Sequence, residues 1–239
     1  MNRTVYDDDK CQAIWKSLVK DVPYDWNLSN SDNLPSKAAQ KLAQLLEIDS
    51  DDLTAFLSAD ISVAQKLRSQ LSIVLREGSA IKADQVAQWI VSDWGGINRG
   101  LEVLPAWIRA LEPFDLNSIS KFVDDIGIDR ISSWSKILAF LDHNAYAIFD
   151  SRTSLALNSA MVLAKIRPQF FMPPRKSKKS DFAIIEIKKR TDELLGGYEE
   201  YLFLLRRFVE LQLAESILDA ERKIFAGADH TAQKMLERI

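Results

Sequence analysis

Along most of this chain the apolar residues recur at intervals of three and four, the period of a helix laid against a core. Ser36 to Glu47 places Ala38, Ala39, Leu42, Leu45 and Leu46 on one face. The same spacing predicts helices over Asp8–Val19, Val63–Glu77 (ended by Gly78), Ala83–Trp94 (stopped by Gly95-Gly96) and Leu101–Leu111 (closed by Pro113). Ser50 has the form of an N-cap for a short helix with acidic residues in its first turn, where the helix dipole favours them. Leu116–Asp125, Arg130–Leu141 and Thr153–Ile166 follow, then one long helix over Tyr198–Phe225 and a last from about Thr231. Asp181–Leu195 predicts a helix, although Phe182–Ile187 (FAIIEI) also suits a short strand. Pro23–Pro35 and Arg167–Ser180 are expected as loops. Strand signals are sparse and no βαβ alternation appears, so the fold class is all-α. Residues 1–80 are expected to form an N-terminal helical region and residues 81–239 a second one, continuous with it.

Composition narrows the function classes. The 239 residues are 47% hydrophobic and 27% charged, with a net charge of −3. No apolar run approaches the roughly 20 residues that span a bilayer, so no membrane partner is expected. The acidic, polar start, MNRTVYDDDK, does not resemble a secretory leader. Cys11 is the only cysteine, which excludes an internal disulfide and a cysteine-ligated cluster and suits a reducing, cytoplasmic location. With only His143 and His230 as imidazoles, no metal and no cofactor are expected. Against the acidic average, residues 173–180 (PPRKSKKS) carry four cations and no anion: Arg175, Lys176, Lys178 and Lys179. Such a run is either a solvated loop or a salt-sensitive phosphate contact.

Chemistry concentrates between Ser132 and Leu157. An apolar helical stretch carries a single lysine, Lys136. A turn follows, and Ala147-Ile148-Phe149 delivers Asp150 to the start of the next helix. Asp150 has two compatible readings. One is an N-cap accepting backbone N–H bonds. The other is a carboxylate kept ionised by the helix dipole and able to stabilise a cation or orient water. Lys136 lies on a polar stripe with Ser132, Ser133 and Ser135, or else faces a cleft, where desolvation would make it an amine nucleophile.

The segment SKILAFLDHNAYAIFDSR resembles the helix-hairpin-helix DNA glycosylases, and most closely bacterial proteins of an 8-oxoguanine-glycosylase-like fold. DWGGINRG at 93–100 and LDAERKIFAGA at 218–228 are similar to stretches of the same group, so the resemblance touches about the last 150 residues. It implies an orthogonal multi-helix bundle with a degenerate helix-hairpin-helix element, a DNA partner carrying a damaged or modified base, and cleavage of an N-glycosidic bond on a flipped nucleotide. Asp150 is then the catalytic carboxylate, and Lys136 a nucleophile that permits strand cleavage. Trp94, Trp134, Phe140 and Tyr146 become candidates for a base pocket, each with core packing as its plainer role. Gly127, Ser151 and Arg152 join the basic run as DNA contacts. Two departures stand out. The expected Gly-apolar-Gly hairpin has one glycine, Gly127, crowded by Asp124, Asp125 and Asp129. The family's lysine position falls near Ile131, about a turn and a half before Lys136. A non-catalytic relative in a defence or repair system, or a protein-interaction module, is the alternative that these departures favour.

Overall fold

The computed structural model describes residues 6–22, 34–47, 61–97, 130–173, 181–191 and 197–239. Among these the regular elements are ten α-helices and a π-helical segment, with no strand, so the chain is all-α. The expected helices at Ser50, Leu101–Leu111 and Leu116–Asp125, and most of the Pro23–Pro35 loop, lie outside the described residues. We number the helices α1 (Asp8–Ser17), α2 (Leu34–Leu46), α3 (Ile61–Glu77), α4 (Ala80–Gln88), α5 (Ile131–Leu141), α6 (Ser151–Leu163), α7 (Asp181–Lys188), α8 (Tyr198–Glu210), α9 (Ile217–Ala226) and α10 (Ala228–Leu236). The chain divides into two compact units: residues 1–24, 127–132 and 148–239 in the first, 25–126 and 133–147 in the second.

In the first unit α6 is the central element. Every residue from Thr153 to Met161 is buried. A helix buried all round shows no strong polar face, and its polar side chains need internal partners. Asn158 supplies the clearest case. Its Nδ2 donates to Phe170 O at 2.8 Å, while its Oδ1 accepts from Gln169 N at 3.1 Å and Phe170 N at 3.0 Å. Ser154 Oγ donates to Phe171 O at 2.5 Å. These bonds fasten the extended segment 169–171 along α6. Against another side of α6, Leu155 clusters with Ala183 and Ile187 of α7 and with Ala232 and Met235 of α10.

Two helix ends in this unit differ from the sequence expectation. Tyr198–Phe225 is not one helix: α8 stops at Glu210 and α9 starts after Ser216. Gln212 adopts a left-handed φ of 56°; its N–H donates to Val209 O at 2.9 Å, and Leu213 N–H donates to Phe208 O at 2.8 Å. This is the Schellman arrangement, which usually places glycine at the left-handed position. Without glycine the stop left no mark in the sequence. Ser216 Oγ then accepts from Asp219 N at 3.1 Å and starts α9. Lys165, at φ 60°, ends α6 in the same way before the expected Ile166. The strand alternative for Phe182–Ile187 is overturned: those residues lie in α7, with Ala183 and Ile187 one turn apart on its buried face.

The N-terminal helix is held to α10 by close backbone approach. Val19 N–H donates to Thr231 Oγ1 at 3.0 Å, and Lys234 Nζ to Ser17 O at 3.2 Å. A Cβ on Gly227 would lie 1.7 Å from Val19 O. Position 227 therefore requires glycine for space, although its φ of −79° is open to any residue. Cys11 lies on the buried face of α1, its thiol donating to Tyr6 O at 3.8 Å, and Tyr6 stacks on Phe170 with ring centroids 6.5 Å apart.

In the second unit α3 presents Leu67, Leu71 and Leu75, four apart and all buried. Ser72 Oγ and Arg76 Nη2 donate to Leu141 O at 2.6 Å and 3.2 Å, satisfying a carbonyl that the end of α5 leaves without a helical partner. The chain then turns at Asp142, whose Oδ1 accepts from Asn144 N at 3.0 Å and Ala145 N at 3.3 Å. The expected Ala83–Trp94 helix starts earlier, at Ala80 with Ser79 as its cap, and its last turns are π-helical from Trp89 to Trp94.

Two outcomes follow from this packing. Gly227→Ala forces backbone apart and should destabilise the protein by roughly 3 kcal/mol, the upper part of the range for overpacking, read as a lowered urea midpoint at unchanged slope. Burial raises the Cys11 thiol to about 11. Burial, and after it the charge of Glu200, pushes the Tyr6 phenol well above its ordinary value. On raising the pH the unfolded chain gives up these protons first. Stability should therefore be complete below about pH 8.5 and fall as pH rises through about 11. Urea titrations at about pH 8 and about pH 10.5 check this. At about pH 8 the native thiol should also resist a disulfide reagent that labels the unfolded chain at once.

Candidate functional site

The approach to Asp150 is built from the backbone of Ile148. Its N–H donates to the buried Glu221 carboxylate of α9 at 2.8 Å, and its carbonyl accepts from Tyr201 Oη of α8 at 3.0 Å. Thr153 Oγ1 reaches the same carbonyl at 3.4 Å. An extended residue next to no strand leaves both backbone groups without a ladder partner, and these side chains supply the missing bonds. The next ring, Phe149, is fully buried between Tyr201 (centroids 5.0 Å apart) and Phe170 (6.1 Å). The segment is thus fixed before Asp150 is reached.

Asp150 caps α6. Its Oδ1 accepts from Arg152 N at 2.9 Å and Thr153 N at 3.1 Å, with an extended backbone at φ −131°, ψ −175°. The N-cap reading is therefore observed directly. The carboxylate is half-buried and sits at the positive end of a helix with a fully buried body, where negative charge is favoured. Ser151 and Arg152 occupy the first turn beside it. The Arg152 guanidinium lies over the Phe225 ring, 4.5 Å from its centroid, with Asp229 at 3.6 Å.

Lys136 belongs to the second unit and is 4% exposed, so it does not lie on a solvated polar stripe. Ser133 and Ser135 are buried with it, because α5 is enclosed on the side where its serines lie. The lysine stem runs against Gly95: a Cβ there would lie 2.9 Å from Lys136 Cδ, and within 2.8 Å of the carbonyls of Ile90 and Val91. Gly95 is thus small for two reasons, the π-helical winding behind it and the lysine in front. Gly96 follows at φ 66°, a left-handed stop suited to glycine. Trp94 meets Phe140 edge-on at 4.9 Å, and the buried Arg68 guanidinium lies 5.1 Å from the Phe140 centroid. Asp84 of α4 is a further buried charge of this unit.

Of the four proposed pocket aromatics, Trp134, Phe140 and Tyr146 are buried, and Trp94 keeps partial exposure. Gly127, Arg175, Lys176, Lys178 and Lys179 lie outside the described residues. The structure joins Trp94, Phe140 and Lys136 through Gly95 and the π-helical turn, and it joins Asp150 with Ser151 and Arg152. Sequence reasoning did not single out Glu221, Tyr201, Arg68 or Asp84. Glu221 stood within the LDAERKIFAGA motif, and a carboxylate on an otherwise apolar helical face was the available signal.

Comparison with protein-family models, with curated proteins and with solved structures gives no match. Among the described residues no group of three or more His, Cys, Asp or Glu side chains is placed to hold a metal ion, and no helix is long and apolar enough to cross a membrane.

The cap can be separated from the charge. Asp150→Ala removes the acceptor for two amides and should cost about 1 kcal/mol in urea unfolding, whereas Asp150→Asn retains an acceptor oxygen and should cost clearly less.

Proposed function

We propose that this protein is a DNA glycosylase of the helix-hairpin-helix type, acting in the cytoplasm on a damaged or modified base flipped out of DNA. The observation that carries the reading is the presentation of Asp150. It is a half-buried carboxylate at a helix N-terminus, delivered by a backbone segment clamped at Ile148. In this reaction the bond from C1′ to the base nitrogen breaks, and the sugar becomes cationic at C1′. Asp150 stabilises that charge and orients a water; the water's oxygen bonds to C1′ and its proton leaves toward the departing base. In the lyase version the Lys136 amine attacks C1′ instead and displaces the base; the C1′–O4′ bond then opens to a 4′-hydroxyl and a protonated imine, and loss of a C2′ proton expels the 3′-phosphate and cleaves the strand. Trp94, the partly exposed aromatic of the four, is the candidate to stack on the base. The reading carries with it a degenerate helix-hairpin-helix element and an orthogonal multi-helix bundle.

A second reading keeps the fold and the nucleic acid but not the chemistry. It draws on Asp124, Asp125 and Asp129 around Gly127, three carboxylates beside the stretch expected to meet phosphate.

Duplex oligonucleotides carrying 8-oxoguanine, uracil or hypermodified bases, incubated with the protein and then with hot alkali, decide between them. Cleavage at one of these bases is expected, falling about 100-fold or more in the folded Asp150→Asn protein. Absence of an abasic product on every substrate favours the non-catalytic relative. Borohydride trapping should give a covalent adduct that is lost in Lys136→Gln; an adduct that persists moves the amine elsewhere.

A further inference from the structure

Within the second unit, α2 faces α4 and the π-helical segment that continues it, and two ion pairs fix how they align. Lys41 Nζ meets Asp93 Oδ2 at 2.6 Å, and Lys82 Nζ meets Glu47 Oε1 at 2.9 Å. Residue numbers rise along one wall as they fall along the other, so the walls run antiparallel. Between the two pairs lies a cavity of about 360 Å³, within the size range of sites that hold small molecules. Its lining comes from one stripe of each helix: Lys41, Gln44 and Leu45 on α2, Gln85 and Gln88 on α4. Three carboxamides thus converge on one space beside an apolar side chain. The Lys41 charge is already met by Asp93, so a phosphate or a carboxylate would have to break that pair to be held here. An uncharged ligand would not.

We propose that this cavity binds an adenine ring, its edges read by the Gln44, Gln85 and Gln88 carboxamides and its face resting on Leu45. A carboxamide carries a donor and an acceptor side by side. Its match is a planar group with an acceptor beside a donor. Adenine presents that pair, the N6 amino group next to a ring nitrogen, on two of its edges, so amides on two facing walls can serve it from both sides. The corresponding edge of guanine has two acceptors and calls for the paired donors of a cation. A peptide backbone also sets a donor beside an acceptor, but an extended chain would have to leave the trough past the ion pairs that bridge its ends. The ring can belong to a free nucleoside or to an unpaired base of a nucleic acid. The site is separate from Asp150 and does not depend on the chemistry proposed there.

The test is calorimetric titration of the whole protein with adenosine, guanosine, adenosine triphosphate, and single-stranded oligodeoxyadenylate and oligothymidylate. Adenine-bearing ligands should bind about tenfold or more tighter than guanosine, and the triphosphate no tighter than adenosine. The three glutamines are exposed at the rim, so their variants are expected to fold, which circular dichroism verifies. Gln44→Leu and Gln85→Leu keep the bulk and remove the amide, and each should weaken binding about tenfold. Gln88→Glu keeps the shape but loses the donor and should weaken it likewise. Glutamine-dependent binding of adenosine upholds the site and assigns it a free nucleoside. Glutamine-dependent binding of oligodeoxyadenylate in preference to oligothymidylate, with adenosine alone too weak to detect, upholds it and assigns it a base in a strand. No binding of any adenine ligand, guanosine bound as tightly, affinity that ignores the glutamines, or salt-sensitive preference for the triphosphate overturns the proposal.

Discussion

Everything around Asp150 depends on how the backbone of Ile148 is satisfied. An extended stretch buried without a neighbouring strand exposes an N–H and a C=O to apolar surroundings, where each unmet group costs about 1–3 kcal/mol. Glu221 and Tyr201 meet both, from two different helices. The arrangement couples three elements at one residue: α8 and α9 set the position of Ile148, and Ile148 sets where α6 begins. The α8–α9 break at Gln212 is part of the same construction, since one straight helix from Tyr198 to Phe225 would hold Tyr201 and Glu221 about 30 Å apart along its axis. Folding the chain back at Gln212 brings both to the same peptide.

The same constraint explains what the amino-acid pattern disclosed. Helix period and capping chemistry were legible: the all-α class, the helices over Ser36–Glu47 and Val63–Glu77, and Asp150 as an N-cap all follow from local rules. The Gln212 and Lys165 stops were not, because a left-handed residue without glycine is held by tertiary packing rather than by its own preference. α6 was legible as a helix but not as the centre of its unit. A helix buried on every side carries Ser154, Asn158 and Ser159 inward, which resembles ordinary polarity until their partners are seen. Glu221 was hidden for a related reason: its partner is a backbone amide 73 residues away, and backbone amides have no sequence signature.

Asp150 and Lys136 are held in the fold for different physical reasons. Stability alone accounts for an aspartate at position 150, because two amides of α6 bond to it and an N-cap needs no further purpose. Lys136 is held differently, as an ammonium enclosed within its unit. A buried ammonium, even partnered, does no better than a well-packed apolar residue of the same volume, and such replacements are often neutral or stabilising by roughly 1–4 kcal/mol. The chain nevertheless encloses this lysine to 4% exposure and keeps Gly95 without a side chain where the stem passes. It also winds the preceding segment as a π-helix, a rare form. Three local costs converge on one amine. The burial of Lys136, the absent side chain at Gly95 and the π-helical winding before it are one packing arrangement, since the lysine stem passes where a Cβ at position 95 would lie.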